Sequence, residues 1–77
     1  MRVTIARVNE VLFDGEAVSL TIPATGGEMT VLGGHMPLLT TLKQGVVVVR
    51  TKEGEQSEFP IDDGVLEVRR DGATVIL

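Results

Sequence analysis

Residues 18–22 read Val18-Ser19-Leu20-Thr21-Ile22, a strict alternation of apolar and polar side chains. Successive side chains of a β-strand point to opposite faces, so this alternation predicts a strand with one face buried and one in solvent. Later in the chain, Leu66 and Val68 alternate with Glu67 and Arg69 in the same way. Both stretches therefore predict half-buried strands.

Glycines divide the rest of the chain into short segments that are rich in valine, isoleucine and threonine. Branched side chains suit a pleated sheet, and short strands between regularly spaced turns are typical of a sandwich or barrel. The chain has 77 residues, which is enough for one small domain. We therefore predict a single all-β domain over residues 1–77, a small antiparallel β-sandwich or flattened barrel of about eight to ten short strands.

Several turns and irregularities follow from particular residues. Hairpin turns are predicted where an acidic residue precedes a glycine, at Asp14-Gly15, Glu53-Gly54 and Asp71-Gly72. A slip in the apolar period at Ala6-Arg7 indicates a bulge. The run Val46–Val49 predicts a strand buried on both faces or lying between two layers. Pro60 cannot donate a ladder hydrogen bond, so its strand is predicted to lie at an edge or to be bulged.

Composition excludes several classes of function. The formal net charge is −4 and the only aromatic residues are two phenylalanines, so the chain lacks the cationic and stacking groups of a nucleic-acid binder. The absence of cysteine removes thiolate metal sites and cysteine nucleophiles. The longest aliphatic run, Val46–Val49, is far shorter than the roughly 20 residues of a membrane-spanning helix. Any association with a membrane would therefore depend on another chain.

Candidate catalytic and ligand-binding groups are few. His35 is the only histidine, and it is either a loop residue that contacts a partner or the base of a small β-fold enzyme with carboxylate partners. The glycines around residues 26–34 do not form a phosphate-binding loop, because no lysine follows them. Asp62-Asp63 lacks the ligand spacing of a calcium loop and is better explained as a solvated turn. No catalytic residue, cofactor or metal is predicted.

An apolar segment, Met36-Pro37-Leu38-Leu39, follows the histidine. It begins directly after a glycine pair, which is typical of a loop, and two interpretations remain open at this point. The segment either folds back into the core or forms an exposed patch that contacts another protein.

Several motifs follow one another along the chain: a leucine-phenylalanine-x-glycine turn within residues 11–16, Gly27-Glu28, the string Gly34-His35-Met36-Pro37-Leu38-Leu39-Thr40, and residues 63–68 and 74–77. Taken in this order, they resemble the N-terminal β-sandwich of the epsilon subunits of rotary F-type ATP synthases. The resemblance covers essentially the whole chain. Most family members continue into a two-helix hairpin that can inhibit rotation and, in some members, binds ATP, so a chain that ended naturally at Leu77 would be expected to lack both properties.

The resemblance implies a non-catalytic rotor part of the central stalk, which links the gamma subunit to the c ring and couples ion flow to ATP synthesis. Glu28 would contact the c ring. The gamma subunit would be contacted by His35, Met36, Leu38, Leu39 and Thr40. The protein would be peripheral, on the cytoplasmic face of the bacterial inner membrane, and would meet the membrane only through the complex. The alternative is a stand-alone β-sandwich adaptor or ligand-binding module.

Overall fold

The computed structural model describes residues 1–34 and 36–77, which form nine β-strands. The strands are β1 (Arg2–Arg7), β2 (Glu10–Glu16), β3 (Ser19–Ala24), β4 (Gly27–Leu32), β5 (Leu38–Leu42), β6 (Gly45–Arg50), β7 (Gln56–Ile61), β8 (Gly64–Arg69) and β9 (Gly72–Ile76). The predicted all-β class and the predicted number of strands are confirmed. The described residues include no helix that is long and apolar enough to cross a membrane.

The strands form two layers. The first layer has the spatial order β2-β1-β9-β8-β5, and the second has the order β4-β3-β6-β7. The layers join at a corner where β5 meets β3 through one register pair, Ala24 with Leu42. Neighbouring strands are antiparallel except β1 and β9, which run parallel. The predicted sandwich therefore contains one parallel pair.

One hydrophobic core lies between the layers. Val3 and Ile5 of β1 are fully buried from one side, and Leu20 and Ile22 of β3 are fully buried from the other. The alternation thus predicted the inward residues Leu20 and Ile22 correctly, whereas Val18, the first residue of the predicted strand, lies before β3 and is exposed. At the margin of the core, the rings of Phe13 on β2 and Phe59 on β7 meet edge to face, with their centroids 6.1 Å apart. Edge-to-face packing is a favourable arrangement of aromatic rings, and this contact links the two layers on the side opposite the corner.

Two local predictions are wrong. Asp14 and Gly15 do not form a turn but lie inside β2, where Gly15 pairs with Val3. The chain reverses instead at residues 8–9, where Asn9 has a φ of 69°, a conformation that asparagine tolerates better than most residues. The run Val46–Val49 is not buried on both faces. Val47 and Val49 are fully buried, whereas Val46 is exposed, because only the inner face of β6 is covered by the other layer.

Other local predictions are confirmed. Gly54 has a φ of 90° in the turn between β6 and β7, and its N–H donates to the carbonyl of Thr51 at 3.0 Å. Pro60 lies in β7, an edge strand of the second layer. The register of β1 with β2 shifts between Ile5 and Ala6, one residue from the predicted bulge. A hairpin does join β8 to β9, but Gly72 belongs to the strand and packs against the backbone of β1.

Candidate functional site

The segment Met36-Pro37-Leu38-Leu39, for which the sequence allows two interpretations, lies partly in the core and partly on the surface, because successive residues of β5 point to opposite faces of the sheet. Leu38 is half-buried and packs against the core, opposite Val68 of β8. Leu39, the next residue, points outward and is 71% exposed. Met36, in the connection that leads into β5, is 77% exposed. The segment therefore joins the core through Leu38 and offers Met36 and Leu39 as an apolar surface.

The remaining predicted contact residues of this segment differ in their accessibility. Thr40 is half-buried on the inward side of β5, opposite Leu66, and its hydroxyl donates to the carbonyl of Thr41 at 3.5 Å. His35 lies outside the described residues. Among the described members of the predicted set, Met36 and Leu39 thus present the largest apolar area to solvent.

Glu28 lies in the second layer, at the start of edge strand β4. It pairs with Pro23 of β3, and its side chain is exposed with no ion-pair partner in the part of the chain that the structure describes. The preceding turn is held firmly, because the N–H of Thr25 donates to the carbonyl of Thr41 at 3.1 Å and the two threonine hydroxyls are 3.2 Å apart. Glu28 is therefore a solvated carboxylate on a well-anchored hairpin.

The Glu28 hairpin and the Leu39 segment are separate surfaces. Gly27 lies beside Ala24, which pairs with Leu42 at the last residue of β5, whereas Leu38 is the first residue of that strand. Leu38 and Leu42 are four residues apart, which at about 3.4 Å per residue is a distance of about 14 Å along the strand. Because the two surfaces also belong to different layers, one small partner loop would not cover both.

The outer face of the first layer carries charges that are paired within the chain. Arg2 donates two hydrogen bonds to the carboxylate of Asp14, at 3.0 and 2.9 Å, and Thr4 donates a third at 3.2 Å. The hydrogen bonds from Arg2 lower the pKa of the Asp14 carboxyl, and the same contact raises the pKa of Arg2. Arg69 likewise pairs with Glu67 at 3.2 Å. The opposite charges of each of these pairs therefore offset each other on this face.

Three further exposed apolar residues lie on that same face and form no motif in the sequence. Val11, Val65 and Ile76 come from β2, β8 and β9; Val65 pairs with Ile76, and Ala6 of β1 lies between Ile76 and Val11. Each is a single apolar residue in an alternating strand, which is a common surface feature. Only the register between distant strands could have identified them.

Comparison with known proteins points to one family. The sequence matches the beta-sandwich domain of the ATP synthase delta/epsilon chain over residues 1–77. It is 40% identical over 65 residues to the ATP synthase epsilon chain of Sinorhizobium fredii, which covers 84% of this chain and 48% of that relative. It is 39% identical over 77 residues to the epsilon chain of Xanthomonas campestris pv. campestris, covering 100% of this chain and 55% of the relative. The chain thus spans about half the length of these relatives.

Solved structures show the same likeness. A chain in the cryo-EM structure of the Euglena gracilis mitochondrial ATP synthase, in its OSCP/F1/c-ring assembly, matches with a TM-score of 0.89 and 26% identity. The match covers 96% of this chain and 48% of that one. A chain in the central stalk and c-ring structure of the Tetrahymena thermophila mitochondrial ATP synthase matches with a TM-score of 0.82 over 99% of this chain and 61% of that one. At 16% identity, this second match is a likeness of fold.

Proposed function

Because the chain belongs to the family of ATP synthase delta/epsilon beta-sandwich domains, we propose that it is a non-catalytic part of the central stalk of a rotary, ion-translocating ATP synthase. In this role it links the gamma subunit to the c ring and helps couple ion flow to ATP synthesis. The observation that carries the proposal is the family match over all 77 residues, supported by a TM-score of 0.89 to a chain of an F1/c-ring assembly. The proposed location is peripheral, on the cytoplasmic face of the bacterial inner membrane, with contact to the membrane only through the complex.

For the gamma subunit we propose the contact segment His35 to Thr40. Met36 and Leu39 supply its exposed apolar area, and exposed apolar clusters commonly mark protein interfaces. Leu38 packs against the core and so fixes the orientation of its neighbour Leu39. Because the backbone of β5 is already ordered, binding at Leu39 carries no additional cost for ordering the backbone there.

For the c ring we propose Glu28 as the contact residue. Its carboxylate has no ion-pair partner within residues 1–34 and 36–77, so it remains available to polar or cationic groups of another chain. The hydrogen bonds of Thr25 and Thr41 hold the hairpin that carries it. Glu28 and Leu39 lie in different layers, which suits a domain that binds two different partners.

Mixing the purified chain with the gamma subunit of the same synthase tests the first contact. Size-exclusion chromatography with light scattering is expected to show a stable one-to-one complex. Two folded proteins that elute separately at micromolar concentration would contradict the stalk role. They would favour the alternative of a stand-alone adaptor or ligand-binding module.

The substitution Glu28→Lys tests the second contact in assembled synthase. Reversing an exposed charge leaves the fold within about 0.5 kcal/mol of the original stability. Loss of the contact should weaken attachment to the c ring by about 1 kcal/mol, a factor of about five in affinity. The ion transport obtained per ATP hydrolysed in membrane vesicles should fall accordingly.

Glu53→Lys is the matched control, because it makes the same charge change on an exposed residue in the turn between β6 and β7. Normal coupling in the Glu28→Lys synthase, or equal loss in both variants, would remove Glu28 from the interface.

A further inference from the structure

The oxidisable sulfur of the chain lies in three methionines that differ in solvent exposure. The sequence contains no cysteine, tryptophan or tyrosine, so the methionine thioethers are the side chains that mild peroxide oxidises most readily. Met1 and Met29 are half-buried and pack against the hydrophobic core, whereas Met36 is 77% exposed. Because peroxide must reach the sulfur atom, we expect Met36 to react first.

Strand pairing and core packing protect the other two methionines. Met29 lies on the inward side of β4, opposite Ile22 of β3, which is fully buried. The carbonyl of Met1 accepts a hydrogen bond from the N–H of Ala17 at 2.8 Å, and its ammonium donates to the carbonyl of Ala17 at 3.0 Å. Oxidation of either residue requires the margin of the core to open, whereas the side chain of Met36 is accessible in the folded chain.

Met36 lies where a change of polarity affects binding more than folding. It is in the connection between β4 and β5, just before the segment in which Leu38 packs against the core. Little of its apolar area is buried in the fold, so its modification removes little stabilisation. In the proposed gamma-contact segment, by contrast, Met36 and Leu39 supply the exposed apolar area.

Hydrogen peroxide converts a methionine thioether to a sulfoxide in a balanced oxidation. The sulfur gives an electron pair to one peroxide oxygen and forms the S–O bond, the O–O bond breaks, and the other oxygen leaves as water with the proton of the first. A flexible apolar side chain thereby becomes a polar one that accepts hydrogen bonds. A sulfoxide oxygen buried without a donor costs free energy, so an apolar contact made through Met36 is weakened.

We propose that Met36 is an oxidation site, and that its sulfoxide lowers the affinity of the unassembled chain for the gamma subunit. This inference rests on the proposed function, and it adds a reversible covalent control of the contact with gamma. Methionine sulfoxide reductases restore the thioether, with two thiols oxidised to a disulfide and the oxygen released as water. A chain oxidised before assembly is therefore kept from the stalk until it is repaired.

Limited oxidation of the purified chain tests the site. The chain is treated with hydrogen peroxide, the peroxide is removed, and peptide mass spectrometry follows the addition of oxygen to each methionine with time. Met36 should be oxidised about tenfold faster than Met1 and Met29. The oxidised chain should still melt cooperatively, with a Tm within about 4 °C of the untreated chain, because the altered residue lies at the surface. Equal rates for the three methionines, or loss of the cooperative melt, would overturn the inference.

Isothermal titration calorimetry with untreated gamma subunit of the same synthase measures the effect on binding. The oxidised chain should bind about tenfold more weakly, and treatment with reductase and dithiothreitol should restore the affinity. Met36→Leu is the matched variant, because leucine has a similar volume and no sulfur. After peroxide treatment Met36→Leu should keep its affinity, whereas Met29→Leu should lose affinity as the unaltered chain does.

The outcomes separate this inference from the proposed function. Absence of gamma binding by the unaltered, untreated chain would overturn both. Selective oxidation of Met36 with unchanged affinity for gamma would overturn the inference and leave the stalk role. Equal loss of affinity in peroxide-treated Met36→Leu would assign the effect to another residue and overturn the inference as well.

Discussion

Two consecutive leucines of β5 separate a core role from the proposed contact role within one segment. Leu38 packs against the hydrophobic core, whereas Leu39 points to solvent. Leu38→Ala and Leu39→Ala remove the same atoms from positions that are neighbours in the chain. We expect the first to lower the stability of the domain and the second to lower its affinity for gamma.

The magnitudes follow from the burial of each side chain. Full burial of a leucine contributes about 1.5–3 kcal/mol, so half-buried Leu38 is expected to lose about 1–2 kcal/mol on truncation. For a domain of this size that is a fall in Tm of about 4–16 °C. Leu39→Ala should change stability by less than about 0.5 kcal/mol. Burying the exposed part of Leu39 against gamma is worth about 1–2 kcal/mol, so its truncation should weaken binding about 5–30-fold.

Thermal melts followed by circular dichroism measure the stability of the two variants, and calorimetric titration with gamma measures their affinity. Binding is measured well below the lower of the two Tm values, so that both proteins are folded. Equal falls in Tm for the two variants would refute the outward orientation of Leu39. Unchanged gamma affinity of Leu39→Ala, together with the expected melts, would refute its contact role alone.

Two further predictions concern β1. The pKa of Asp14 is lowered in the folded state by its hydrogen bonds from Arg2, so its carboxylate stabilises the fold above the ordinary pKa of 3.8 and loses that effect as pH falls through the lower folded value. The Tm of Asp14→Asn should therefore be below that of the unaltered chain at pH 7, and the difference should vanish in melts recorded at increasingly acid pH. Gly72→Ala would place a Cβ against the carbonyl oxygen of Arg2 in the parallel pair of β1 and β9, and should cost about 1–3 kcal/mol in denaturant melts. Gly26→Ala, whose added methyl would meet open space, is the control, and equal stability of the two glycine variants would contradict the close packing of these strands.

The strands were predictable where apolar and polar residues alternate in the sequence. They were less predictable where residues typical of a turn lie inside a paired strand. The alternation at residues 18–22 identified the buried Leu20 and Ile22 without knowledge of any neighbour. Asp14-Gly15 has the composition of a hairpin turn, yet it lies within β2 because β1 and β2 pair along their length and reverse at Asn9. The position of that turn depends on which residues of the two strands face the core. A dipeptide signal does not contain this information.

The candidate site was predictable as a segment but not as a surface. The apolar residues from Met36 to Leu39 allowed either a core segment or an exposed patch, and only the pleat of β5 shows that Leu38 belongs to the core and Leu39 to the exterior. The nearness of Val11 to Ile76 on the outer face could not be predicted, because the two residues are 65 positions apart and are linked only through Ala6 of β1. Register between strands distant in sequence is a tertiary property, and the local pattern determines only which face of each strand is apolar.

The corner between the layers explains how so small a domain would transmit force in the proposed role. Any load between gamma at Leu39 and the c ring at Glu28 must pass from the first layer to the second. Three contacts bridge the corner. The N–H of Thr25 donates to the carbonyl of Thr41 and the N–H of Lys43 donates to the carbonyl of Pro23 at 2.9 Å, and these two hydrogen bonds form the Ala24–Leu42 pair. The third is the contact between the hydroxyls of Thr25 and Thr41. Gly45 packs so closely on the ring of Pro23, the residue that pairs with Glu28, that an added Cβ would lie 2.7 Å from the proline Cβ. Close-packed groups yield little under strain. The corner therefore acts together with the shared core and the Phe13–Phe59 contact as a stiff path through which movement of one partner would reach the other.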